Sequence, residues 1–202
     1  MKFYLLALLL GVSSFPALAQ RSSSGYTLGD VAASFALKNV DSRTISLTDY
    51  KNQKGVIVVF TSNHCPFSKA YEDRILALDR KFGPQGFPVM AILSSDASLY
   101  EEDSFERMQV RARTKNYTFP YLLDDSQSVA KAFGATRTPQ VYVLKRNGDR
   151  FTVEYIGSVD DSPQDAANVQ RAYVDDAVTS LLSGRPVVTP LTKAIGCAIK
   201  IK

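Results

Sequence analysis

The heptapeptide SNHCPFS, residues 62–68, holds one of two cysteines in the 202-residue chain and its single histidine. A cysteine thiolate can attack a disulfide or a peroxide, and cysteine and histidine together can ligate a soft metal. Cys65 is followed by Pro66, Phe67 and Ser68. The segment therefore reads in three ways: a CxxC motif without its second thiol, a peroxide-type cysteine, or part of a metal site. The other cysteine, Cys197, lies 132 positions downstream in the tail VVTPLTKAIGCAIKIK.

The flanks of Cys65 specify its setting. VIVVF, residues 56–60, is apolar throughout, as a strand covered on both faces should be. The polar residues Thr61 to His64 follow, and from Phe67 to Phe82 the apolar positions Tyr71, Ile75, Leu78 and Phe82 recur at helical spacing. Pro66 suits the first turn of that helix, where its missing N–H is no loss. A cysteine at a helix N-terminus is biased toward thiolate by the unpaired N–H groups and the dipole. Ser62, Asn63, His64, Ser68 and Lys69 around it argue against an inert core cysteine.

A second element is TRTPQVYVL, residues 136–144, where Thr138-Pro139 directly precedes an apolar strand. An X–Pro bond has only a small trans preference, so this turn can hold a cis peptide. Other expected strands are residues 87–93, 140–144 and 151–156, the last two joined by the hairpin signal Asn147-Gly148. Helices are expected over about 104–115, 126–133 and 166–182. The acidic run YEEDSFE, residues 100–106, reads as a solvated helix start. Alternating strands and helices imply parallel pairing, and the hairpin adds an antiparallel edge. The expected fold is a three-layer α/β domain: a mixed sheet with helices on both faces and a strand-rich N-terminal lead-in.

At the N-terminus, Lys2, the apolar run from Phe3 to Val12 and Ala17-Leu18-Ala19 form a signal-peptide pattern. Cleavage after Ala19 would leave 183 of the 202 residues, enough for one core. The expected organisation is a signal peptide over 1–19, a flexible polar start over 20–25, a domain over 26–185 and a tail over 186–202. The protein is then exported, periplasmic or extracellular, without stable membrane insertion after cleavage. There disulfides can persist. A net charge of +4 from scattered basic residues points to no nucleic-acid partner.

As a set, LGDVAASFAL (28–37), ISLTDYKNQKGVIVVF (45–60), NHCPF (63–67), GATRTPQVYVL (134–144) and IGCAIK (195–200) resemble the thioredoxin-like superfamily. The closer resemblance is to its alkyl hydroperoxide reductase/thiol-specific antioxidant, peroxiredoxin-like branch. This implies a thioredoxin-like fold and a thiol oxidoreductase with Cys65 as nucleophile beside a cis-Pro139 loop. It implies no cofactor and no metal. The substrate is a peroxide or a protein disulfide, and an external thiol donor restores the enzyme. Asn63, His64, Pro66, Thr138 and Pro139 form the implied substrate face.

The sequence departs from the family at several places. Ser68 replaces a local second thiol. Ser62 matches the hydroxyl residue three before a peroxidatic cysteine, but Val58 stands where peroxiredoxins carry proline. Arg137 is the candidate to polarise a peroxide, in an unusual place. Cys197 is a possible resolving cysteine that would condense with oxidised Cys65, or half of a permanent clasp, or a tail thiol with no role. The alternative in another class is a non-enzymatic copper-binding or redox-sensing module using His64, Cys65 and Cys197, although their spacing matches no metal motif.

Overall fold

The computed structural model describes residues 25–202; the signal-peptide pattern and most of the polar start lie outside the described residues. The lead-in holds β1 (Val31–Ala32), β2 (Ala36–Asn39) and β3 (Thr44–Ser46). Then come β4 (Gly55–Thr61), α1 (Pro66–Phe82), β5 (Val89–Leu93), α2 (Phe105–Thr114), β6 (Tyr121–Leu123) and α3 (Ser128–Phe133). β7 (Arg137–Thr138), β8 (Gln140–Asn147), β9 (Arg150–Gly157), α4 (Tyr173–Leu182) and β10 (Cys197–Ala198) complete the chain.

Among the described residues, eight strands form one mixed sheet in the order β1-β9-β8-β4-β5-β6-β2-β3. β4, β5 and β6 pair in parallel through the α1 and α2 crossovers, and β8 pairs antiparallel with β4. Side-chain parity in β4 builds the two cores, because successive strand residues face opposite sides. Ile57 and Val59 point into the layer of α1, α2 and α4, with Tyr71, Ile75, Met108 and Val178. Val56, Val58 and Phe60 point into the layer of α3, with Val129 and Phe133. The domain is thus the expected three-layer α/β fold, with helices on both faces. No helix among the described residues is long and apolar enough to cross a membrane.

Four elements differ from those expected. The hairpin of β8 and β9 is not the sheet margin: β8 lies against β4, and β1 covers β9. Residues 121–123 form a short strand, β6, which their length hid between two turns. The last helix begins at Tyr173 rather than 166. Residues 166–168 form a single 3-10 turn capped by Asp165, and Val169 then returns to extended backbone. The tail, which has no periodicity, nevertheless contributes β10, paired with β7.

One buried charge cluster ties α1 to α2. The Glu72 carboxylate accepts from Arg111 Nε and Nη2 (2.5 and 2.8 Å) and from Tyr117 OH (2.6 Å), with Lys115 Nζ at 3.2 Å. Burial works to raise the Glu72 carboxyl, yet the hydrogen bonds from Arg111 and Tyr117 hold it below its ordinary value. A depressed carboxyl stabilises the fold above its unfolded pKa and loses that contribution as pH falls through its folded value. Arg111→Ala is expected to cost roughly 2–3 kcal/mol at neutral pH, less than a fully enclosed pair because Lys115 remains. The difference from wild type should narrow below about pH 4 in denaturant titrations. A gap constant with pH would exclude the ion pair as its source.

Candidate functional site

Four local features place Cys65. β4 ends at Thr61, the chain turns through Ser62-Asn63-His64, and Cys65 caps α1 in extended conformation with Pro66 at the first helical position. Ser62 Oγ accepts the Cys65 N–H at 3.1 Å, taking up a donor that the helix leaves unpaired. Across from it, Thr138-Pro139 is a cis peptide. The Thr138 carbonyl oxygen lies 3.1 Å from Cys65 Sγ, the distance at which a reduced thiol donates to it.

The tail supplies the second sulfur. Cys65 and Cys197 form a disulfide with their Cα atoms 5.9 Å apart, across 132 residues of sequence. β10 aligns antiparallel to β7, with Cys197 opposite Thr138 and Ala198 opposite Arg137. The ladder continues through Ile199 N–H donating to the Thr136 carbonyl at 3.0 Å. Gly196 permits this approach, since a Cβ there would sit 2.0 Å from the Thr138 oxygen. Cys65 is wholly buried, whereas Cys197 is partly exposed.

The loop before Cys65 is held by a residue of the acidic run YEEDSFE, whose sequence looks like a solvated helix start. Asp103 is wholly buried. Its Oδ1 accepts from the Asn63 and His64 N–H groups (2.6 and 3.1 Å), and its Oδ2 lies 2.6 Å from His64 Nδ1. The acceptor is buried, where hydrogen bonds are electrostatically stronger than in water. Ser62 Oγ also reaches His64 Nδ1 at 3.1 Å, and the imidazole stacks on Tyr100 with centroids 3.7 Å apart. Asn63 is engaged at both ends: Nδ2 donates to the Glu102 carbonyl (2.7 Å), and Oδ1 accepts from Tyr121 OH (2.9 Å). Burial pushes the Tyr121 hydroxyl well above its ordinary value, so it stays a donor.

Ser62, Asn63, His64, Cys65, Pro66, Thr138, Pro139 and Cys197 are therefore gathered around one disulfide. Arg137 is adjacent but exposed, and its guanidinium donates to the Gly196 carbonyl at 3.5 Å. Two buried hydroxyls at this site, Ser68 Oγ in the first turn of α1 and Thr138 Oγ1, have no hydrogen-bond partner among the described residues. For the copper set, both sulfurs are joined in the disulfide, and His64 meets Asp103 through Nδ1, which leaves Nε2 as its nitrogen for a ligand. No group of three His, Cys, Asp or Glu among the described residues is placed to hold a metal. Asp103, Gly196 and Gln127, whose amide grips the tail, were not singled out from sequence, because each acts across a long separation.

The sequence profile of the AhpC/TSA family matches residues 28–156. The chain belongs to this family. Among curated relatives, the thiol-disulfide oxidoreductase ResA of Geobacillus thermodenitrificans is 25% identical over 150 residues, covering 73% of this chain and 82% of that protein. Chloroplastic peroxiredoxin Q of Gentiana triflora is 30% identical over 138 residues, 59% of this chain and 55% of that protein, so the match spans little more than half of it. An uncharacterised conserved protein of Geobacillus kaustophilus superposes with a TM-score of 0.80 and 39% identity, covering 87% of this chain and 93% of that one. A hypothetical protein of Sinorhizobium meliloti gives a TM-score of 0.81 at 35% identity, covering 88% and 96%. With its thioredoxin-like fold and the Cys65–Cys197 disulfide, this AhpC/TSA chain is a thiol-dependent oxidoreductase.

Proposed function

We propose that this AhpC/TSA protein exchanges disulfides with other polypeptides, with Cys65 attacking and Cys197 resolving. One observation carries the reading: Cys197 reaches Cys65 on a strand laddered to the cis-Pro139 edge. A sulfur bonded to Cys65 thus arrives on extended backbone, as a partner polypeptide would bring it. In the forward direction the Cys65 thiolate attacks one sulfur of a partner disulfide. A Cys65–partner mixed disulfide forms and the other partner sulfur leaves as a thiolate that takes a proton from water. Cys197 thiolate then attacks Cys65 Sγ, the second partner thiolate leaves, and two electrons have passed to the partner. An external dithiol restores both cysteines. No cofactor enters these steps. The position of Cys65 at the N-terminus of α1 supports it as the thiolate and as a leaving group. The signal-peptide pattern supports an exported protein working where such exchange is possible.

Peroxide is the second reading, favoured by Ser62 Oγ on the Cys65 N–H. Val58 in the proline position and the Arg137 contact to the tail weigh against it. Reduced protein mixed separately with a peptide disulfide and with one equivalent of peroxide, then mapped by peptide mass spectrometry, decides between them. The peptide disulfide is expected to give Cys65–Cys197 faster, and Cys197→Ser to accumulate a mixed disulfide on Cys65. Faster oxidation by peroxide, with Cys65 sulfenic acid trapped in Cys197→Ser, would replace exchange with peroxidase activity.

A further inference from the structure

Resting on the exchange reading, we propose that the lane now filled by residues 196–202 selects the partner. It takes an extended segment with glycine before the reacting cysteine, an aliphatic residue two positions after it, and basic residues beyond. Cys65 is wholly buried, and the position bonded to its sulfur belongs to Cys197. A partner sulfur must replace Cys197 there, so the backbone around it must run where β10 runs.

Most contacts along the lane are to backbone and would serve any extended chain. Arg137 donates to the Gly196 carbonyl, and the Thr136 carbonyl accepts the Ile199 N–H. Gln127 closes the far end. It is wholly buried, in left-handed conformation at φ 57°. Its Nε2 donates to the Ser94 carbonyl (2.7 Å) and to the Lys200 carbonyl (2.8 Å), and its Oε1 accepts the Lys202 N–H (2.7 Å). When the tail leaves, this buried amide loses two of its three partners, a costly state that an incoming backbone relieves.

Three features read side chains. The residue before the cysteine has no room for a Cβ, which would lie 2.0 Å from the Thr138 oxygen and 3.1 Å from Pro139 N. Ile199 enters the apolar layer of Val129, Phe133 and Ala135. Asp96 meets Lys202 Nζ at 3.3 Å, and the Tyr100 ring lies 5.5 Å from Lys200 Nζ. The tail is therefore an internal version of the segment that it displaces at the resolving step.

The test uses full-length reduced Cys197→Ser and the peptide AIGCAIKIK (residues 194–202), activated as its 5-thio-2-nitrobenzoate disulfide, with chromophore release as the readout. The protein's own tail competes with every probe alike, so rate ratios are unaffected. Three altered peptides are compared: alanine for the glycine, aspartate for the isoleucine two positions after the cysteine, and N-methylation of the final lysine amide. Each is expected to react about tenfold slower than the parent, the size of one lost hydrogen bond or contact. In Gln127→Ala the penalty for N-methylating the final lysine should largely vanish, because the amide oxygen that accepts that N–H is gone. Equal rates for all four peptides would overturn the lane while leaving exchange at Cys65 standing. The peptide changes do not depend on how Gln127→Ala folds. A Cys65 that reacts with none of the probes would overturn the exchange reading itself, and this proposal with it.

Discussion

Reduction of the Cys65–Cys197 disulfide is expected to lower the thermal midpoint by about 10–15 °C. The cross-link spans 132 residues, and in the chain-entropy model a loop of that size restricts the unfolded chain by about 4–5 kcal/mol. For a domain of this length each kcal/mol corresponds to roughly 2–4 °C. Part of the loss arises in the folded state as well. Without the sulfur bond, β10 is held to β7 by a two-residue ladder, the Gln127 amide and the packing of Ile199. The measurement is calorimetry with and without a strong dithiol, on wild type and on Cys197→Ser. The variant should melt near the reduced wild type and ignore the reductant. A wild-type midpoint indifferent to the dithiol would mean that the linkage contributes nothing in solution.

Asp103→Ala is expected to cost about 3 kcal/mol and to slow alkylation of reduced Cys65 by about tenfold. The substitution strips two N–H groups, those of Asn63 and His64, of a buried carboxylate acceptor and frees the His64 ring from its anchor. Unpaired buried donors cost about 1–3 kcal/mol each, and the turn that presents Cys65 at the helix N-terminus loses the side chain that accepts two of its N–H groups. Chemical denaturation and iodoacetamide kinetics in a Cys197→Ser background measure the two effects. Glu102→Ala is the control, because Glu102 meets Asn63 through its carbonyl, which the substitution keeps. An Asp103→Ala protein of native stability with an equally reactive Cys65 would show that the turn is self-supporting.

Much of this site is readable locally. Cys65 at the helix start follows from VIVVF, from Pro66, and from apolar spacing over the next four turns, all within reach of a few residues. The cis bond at Pro139 is allowed by residue type and adopted here. The same local reasoning misplaced Asp103, because three acidic residues in a row look solvated from sequence. Only one of them turns inward, toward N–H groups 39 and 40 positions earlier. It also extended the last helix too far, since Asp165 can cap a single turn as readily as a long helix.

The sequence by itself determined the layered α/β fold, the redox chemistry available to Cys65, and the absence of a neighbouring thiol at Ser68. It left three fates open for Cys197: resolver, clasp, or spare thiol. The tertiary structure decided that Cys197 bonds to Cys65. It also showed how the tail is seated: on the cis-proline edge, with Gly196 against Thr138 and Gln127 holding the chain's end. The reason is range. Periodicity, capping and turn chemistry act over a few residues and are written in local order. Sulfur pairing across 132 residues depends on where α1, β7 and the tail come to rest, which follows only once both cores are packed.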